Sequence, residues 1–148
     1  MAEYKGVMVY GEIVDGKLSS ITTELLGCGR RLADELKEDL LCVLAGDKLD
    51  EAPKKAIAYG ADKVYTAEDP LLKEYQTDSY VAVMEKTVKD ISPRILLVGQ
   101  TSAGRDLAPR LAFRLGTSLS TDCIELSRAL DQSQPFYNAS SLYQFEAR

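Results

Sequence analysis

Residues 94–110 read RILLVGQTSAGRDLAPR: an apolar run, a loop of glycines and hydroxyls, and the start of an amphipathic helix. Ile95, Leu96, Leu97 and Val98 are consecutive, apolar and partly β-branched, the pattern of a strand buried on both faces in a parallel sheet. Gly99 ends that strand. Proline is tolerated where its missing N–H has no helical partner, so Ser102 to Pro109 is expected to hold the cap and first turn of the next helix. That helix would aim unpaired N–H groups and a positive dipole end at the loop from Gln100 to Arg105. Gly99, Gln100, Thr101, Ser102, Gly104 and Arg105 then form a candidate anion seat or domain-contact loop at the carboxyl end of a parallel strand, where open α/β sheets bind ligands. Turn glycines and a capping hydroxyl are also what any strand-to-helix joint needs, so the same residues read equally as structure.

The same alternation runs outward in both directions. Val7 to Ile13 reads as the first strand, followed by the turn dipeptide Asp15-Gly16. Ser19 or Ser20 can cap a helix whose apolar positions Ile21, Leu25, Cys28, Leu32 and Leu36 recur at helical spacing. Gly27 and Gly29 inside it either mark a close approach or weaken the helix. Leu40 to Ala45 is a second buried strand. A short helix from Glu51 to Tyr59 follows, with Pro53 in its first turn and Gly60 to stop it. Lys63 to Ala67 is a third strand and Glu68 to Gln76 a surface connection. Tyr80, Met84, Val88 and Ile91 share a helical face that Pro93 ends. After the central stretch, Leu107, Leu111 and Leu115 form a helical stripe closed by Gly116, and Ser118 to Leu126 is a fifth strand.

Alternating strands and helices with short joints predict a three-layer α/β/α sandwich around a mostly parallel, doubly wound, Rossmann-like sheet. The division expected is an α/β domain over residues 1–126 and a tail over residues 127–148, SRALDQSQPFYNASSLYQFEAR, of a different texture. That tail either packs on the sheet through Phe136, Tyr137, Tyr143 and Phe145 or is partly ordered. Asn138-Ala139-Ser140 matches a glycosylation acceptor by chance if the chain is not secreted.

The chain's 148 residues suffice for one core burying about two thirds of the unfolded surface. With 45% hydrophobic and 28% charged residues and no long apolar run, it is expected to be soluble, without membrane insertion. The start MAEYKGVMVYGE lacks the apolar stretch of a secretory signal, which makes the cytoplasm the expected address. Cys28, Cys42 and Cys123 are widely spaced and read as buried thiols, neither disulfides nor metal ligands. Histidine is absent, which removes the usual general base, the nucleophile pairs that depend on it and the commonest zinc ligand. No catalytic residue and no metal site are therefore assigned. A net charge of -5 without clustered Lys and Arg argues against nucleic acid as a partner.

GEIVDGKLS, IAYGADKVY and above all GQTSAGRDLAPRLAFRLGTSLSTDC resemble the N-terminal domain of the electron-transfer flavoprotein alpha subunit, over Val7 to about Leu126. The resemblance implies a fold similar to the adenine-nucleotide alpha-hydrolase-like group. It also implies a beta subunit as partner and electron transfer from flavin-dependent dehydrogenases to a downstream acceptor, in an electron-transfer component that is not itself an enzyme. In that family a separate C-terminal domain carries most FAD contacts. This chain has no such stretch, so FAD is expected in the complete subunit, none is expected for this chain alone, and no flavin ligand is carried onto any position.

Two other readings compete. A stand-alone nucleotide-binding module similar to universal stress proteins shares the architecture, but the glycine pattern of those proteins does not match Gly99, Gly104 and Gly116-Thr117. A hydrolase using Asp47, Asp62 or Asp122 is disfavoured, because carboxylates at strand ends are usually caps and turn formers. Arg105 and Asp106 read either as a local ion pair fixing the loop or as a contact to a partner domain or bound anion.

Overall fold

The structure is a computed structural model and describes residues 4–123 and 141–145. Its centre is a six-stranded sheet in which every pairing is parallel. The strands are β1 (Val7–Gly11), β4 (Leu40–Gly46), β5 (Lys63–Glu68), β6 (Ile95–Gly99), β7 (Leu119–Cys123) and β8 (Ser141–Phe145), and their spatial order is β5-β4-β1-β6-β8-β7. The chain first winds from β1 outward to β4 and β5, then returns to the other side of β1 with β6. This reversal between β1 and β6 is the topological switch point of the sheet.

Alternation along the strands divides the core between the two faces. Val7, Val9, Leu40, Cys42, Leu44, Ile95 and Leu97 pack beneath helices α1 (Ser20–Leu36) and α2 (Ala52–Ala58). Met8, Tyr10, Leu41, Val43, Leu96 and Val98 face the opposite layer, α3 (Thr77–Ile91) and α4 (Ser102–Leu115). The three-layer, parallel sandwich expected from the sequence is thus the fold observed. The continuous apolar runs of β1, β4 and β6 arise because each of these strands is covered twice.

The ends of the elements follow from local chemistry. Ser19 caps α1 by accepting the Thr22 N–H on its side chain. Gly116, at φ 66°, closes α4, and Gly60, at φ 117°, follows α2 as expected. The two glycines within α1 have different reasons. A Cβ on Gly29 would lie 2.7 Å from Leu40 Cδ1, so this glycine lets the helix sit close on the sheet, whereas a Cβ on Gly27 would meet nothing.

The structure revises four details. Val7 to Ile13 is not one strand: β1 stops at Gly11, and β2 (Ile13–Val14) folds back on β3 (Lys17–Leu18) as a small antiparallel hairpin. Its turn residues Asp15 and Gly16 both take positive φ, 52° and 77°, as the mirror-image hairpin turn requires. The connection from Glu68 to Gln76 contains a 3-10 turn at Pro70–Leu72 and buries Leu72. Pro109 lies well inside α4 and not in its first turn, because Thr101 is the cap and Ser102 the first helical residue. The helix accepts it on its exposed side, where water can reach the Arg105 carbonyl that Pro109 leaves without a donor. The strand expected over Ser118 to Leu126 is β7, and it is separated from β6 by β8, which comes from the stretch for which packing on the sheet was one of two readings. Phe136, Tyr137 and Asn138-Ala139-Ser140 lie outside the described residues.

The glycine contacts give a paired expectation. Gly27→Ala should stabilise the chain by about 0.5–1 kcal/mol, since it only removes backbone freedom from an exposed helix interior. Gly104→Ala, whose Cβ would collide with the Gly99 carbonyl oxygen, should cost at least about 2 kcal/mol. Urea unfolding of the two variants beside the parent chain measures both.

Candidate functional site

The loop singled out in the sequence lies at the switch point, on the carboxyl edge of the sheet. Gly99 is the last residue of β6, and α4 begins within three residues of it. So tight a joint brings the first turn of the helix onto the end of the strand, and Gly104 is the residue that makes the contact possible. Thr101 adopts the extended cap conformation, and its Oγ1 accepts the Gly104 N–H at 3.0 Å. Its backbone carbonyl accepts the Arg105 N–H at 2.8 Å. Gln100 and Thr101 are half-buried, while Ser102 and Arg105 are exposed.

The group facing this helix end is one that the sequence reading passed over. Glu12, the residue after β1, accepts a hydrogen bond from the Thr101 hydroxyl at 2.7 Å through Oε1. Its backbone N–H donates to Thr22 Oγ1 at 2.8 Å, and that hydroxyl lies 2.9 Å from Ser19 Oγ. One residue thus ties β1 to the caps of both α1 and α4. Glu12 Oε2 is enclosed and has no hydrogen-bond partner among the described residues. Burial raises the carboxyl above its ordinary range, and the Thr101 hydrogen bond opposes this in part. Beneath it Tyr10 is held protonated, first by its own burial and second by the Glu12 charge. The signal available in the sequence was an acidic residue at the end of the one strand that borders both halves of the sheet.

Asp106 does not pair with its neighbour Arg105. It accepts hydrogen bonds from the hydroxyls of Tyr75, at 2.8 Å, and Thr77, and its ion-pair partner among the described residues is Arg110 at 3.4 Å. These hydroxyls, Thr77 first, hold its carboxyl below the usual range, so Asp106 joins α4 to the start of α3. Asp62 likewise has structural partners: it accepts the Leu40 N–H at 2.8 Å and the Arg30 guanidinium at 2.9 Å. The Leu40 hydrogen bond is the main cause of its lowered pKa. The side chain of Asp122 lies outside the described residues. Cys42 is buried and its thiol is pushed up to about 12, while Cys28 is half-buried; among the described residues neither is bonded to another cysteine. No metal-binding group of side chains occurs among the described residues, and no described helix is long and apolar enough to cross a membrane.

A parallel sheet of this order, with a self-capped joint at its switch point, defines a Rossmann-like α/β/α domain. Within that class, the chain belongs to the electron transfer flavoprotein domain family, which matches residues 7–144. It is 43% identical over 125 residues to the electron transfer flavoprotein subunit alpha of Clostridium acetobutylicum, a match covering 84% of this chain and 37% of that protein. It is 37% identical over 144 residues to the subunit alpha of Thermoanaerobacterium thermosaccharolyticum, covering 95% of this chain and 44% of the relative. The acryloyl-CoA reductase electron transfer subunit beta of Anaerotignum propionicum is 39% identical over 138 residues, covering 93% and 38%. The chain therefore spans less than half the length of each of these relatives.

A flavin dinucleotide bound as in other Rossmann-like sheets would bring its pyrophosphate to the switch point. The residues there do not fit it. The amino end of α1 is closed by Ser19 and preceded by the β2–β3 hairpin instead of a glycine-rich turn. The amino end of α4 is closed by Thr101, with the Glu12 carboxylate where phosphate oxygens would lie. A Cβ on Gly99 would already be 2.8 Å from Ile21 Cγ1 and 3.1 Å from Glu12 Oε2, so the glycine opens no cradle.

The Glu12 geometry sets a pH dependence. A carboxyl whose folded pKa is raised contributes stability that is complete below its unfolded pKa and is lost as pH rises through the folded value. Glu12→Gln removes that loss. The melting temperature of the variant minus that of the parent should therefore grow between pH 4 and pH 7.5, both proteins being scanned by circular dichroism. A constant difference across this range would show that Glu12 is not held above its ordinary pKa.

Proposed function

We propose that the chain is the N-terminal α/β domain of an electron-transfer flavoprotein alpha subunit, acting in the cytoplasm as a non-catalytic docking scaffold. In this reading it pairs with a beta subunit and supports electron transfer from flavin-dependent dehydrogenases to a downstream acceptor. The FAD is held by a part of the alpha subunit that this chain does not span. The observation that carries the proposal is the family match over residues 7–144, together with the much greater length of the relatives. The name of the Anaerotignum relative, an acryloyl-CoA reductase electron transfer subunit, favours a reductase or dehydrogenase of acyl thioesters as the redox partner. Redox chemistry in such an assembly belongs to the cofactor, and the protein supplies placement and electrostatics. Glu12, Thr101 and Gly104 are positioning residues in this scheme, since they fix the edge of the scaffold.

The purified chain should show no stoichiometric flavin absorption in its visible spectrum, and calorimetric titration with ATP or AMP should give no binding heat. Tightly bound flavin would overturn the placement of the cofactor elsewhere. Nucleotide binding would favour the stand-alone module.

A further inference from the structure

The amino edge of the sheet, opposite the joint of β6 and α4, carries a cleft of about 720 Å³. It opens between the chain entering β1, the ends of α1 and α3, and the first residues of β4, β5 and β6. That volume lies in the range of small-molecule sites. Its most enclosed charges are Glu38 and Arg94, whose side chains are 10% and 32% exposed. Glu38 accepts the Arg94 Nε–H on both carboxylate oxygens, at 2.8 and 3.2 Å, and its Oε1 also meets the Gly6 N–H at 3.5 Å. Among the described residues nothing accepts a hydrogen bond from Arg94 Nη1 or Nη2, so the ion pair holds the guanidinium by its inner nitrogen and leaves the outer fork unused.

Lys37 lines the same cleft at φ 57°, a conformation that glycine usually supplies at a helix end, and it makes no ion pair among the described residues. Of the other charges, Lys63 faces Asp39 at 3.6 Å, Asp90 faces Lys86 at 2.7 Å, and Lys5 stands next to Gly6. Each acid in the lining, Glu38, Asp39 and Asp90, therefore already has a cationic partner. The carbonyl ends of α1 and α3, which would oppose an anion, are partly closed on themselves: Ala33 accepts the Glu38 N–H at 3.0 Å and Val88 that of Ser92 at 2.7 Å. Leu36, Tyr65 and Ile91, all half-buried, give the cleft an apolar side.

A planar fork fixed from behind and open in front matches a carboxylate, which it can hold with two parallel hydrogen bonds. We propose that this cleft binds a small organic carboxylate, its anionic end on the Arg94 fork, its hydrocarbon body along Leu36, Tyr65 and Ile91, and Lys37 supplying a second positive charge. The site needs neither a flavin nor a partner subunit, and it stands or falls independently of the docking role.

The test is titration of the nitrogen-labelled 148-residue chain with hexanoate at pH 7, followed by the chemical shifts of its amides, with acetate and inorganic phosphate as comparison anions. The signals of Gly6, Glu38 and Arg94 should move and those of Thr101 and Gly104 should not. Hexanoate should bind at least about tenfold more tightly than acetate, because its additional CH2 groups meet the apolar side. Arg94→Lys keeps a charge opposite Glu38 but loses the fork, and should weaken hexanoate binding at least about tenfold. Lys37→Gly should weaken it about threefold. Since glycine adopts φ 57° without strain, the melting temperature of Lys37→Gly should be no lower than the parent's, which separates lost binding from lost structure. Acetate or phosphate binding as tight as hexanoate would overturn the proposal, by reducing the cleft to a general attraction for anions. So would a parent that binds no hexanoate, shifts confined to Thr101 and Gly104, or unchanged affinity in a folded Arg94→Lys. If Arg94→Lys does not fold, unchanged affinity in Lys37→Gly overturns it.

Discussion

The close approach of Gly104 to the Gly99 carbonyl is the constraint on which the carboxyl edge of this domain depends. Any side chain at residue 104 would push the first turn of α4 away from the end of β6. With that turn in place, Thr101 can cap the helix through Gly104 and still present its hydroxyl to Glu12. Glu12 in turn fixes Thr22 and, through it, Ser19 at the start of α1. The seating of α4 also sets its distance from α3, bridged by Asp106 to Tyr75 and Thr77. A steric fact at one glycine thus reaches both helical layers.

Most of the fold was legible because two signals agreed. Strands β1, β4 and β6 are apolar without interruption, and the ends of the helices carry their own signals in the Ser19 cap of α1, Pro53 in the first turn of α2, and Gly60 and Gly116 after α2 and α4. What was not legible depended on pairings that local pattern does not encode. The turn at Asp15-Gly16 was legible, but Ile13 continues the apolar pattern of the first strand, and nothing local shows that Ile13-Val14 pairs back on Lys17-Leu18. Pro109 looked like an initiator because its tolerance inside α4 depends on which side of the helix is exposed. The place of β8 between β6 and β7 is a long-range pairing of a short segment within a polar stretch.

The candidate site shows the same limit. The loop from Gly99 to Arg105 could be located from sequence, because strand, glycine and cap follow in order. Its character could not, because the decisive neighbour lies 89 positions away along the chain. A helix end alone suggests an anion. A helix end that already faces the chain's own carboxylate has the opposite electrostatics, and that difference separates an open nucleotide seat from a self-closed edge.

Pro109 divides α4 in a way that its continuous outline conceals. Because the ring supplies no hydrogen to the Arg105 carbonyl, the ladder of backbone bonds has a missing rung between the turns held to Gly99 and the turns that carry Phe113 and Arg114. What keeps the two parts of the helix in register is packing and not the ladder: Leu107 and Ala108 on one side of Pro109 and Leu111 and Ala112 on the other are buried in the same core layer.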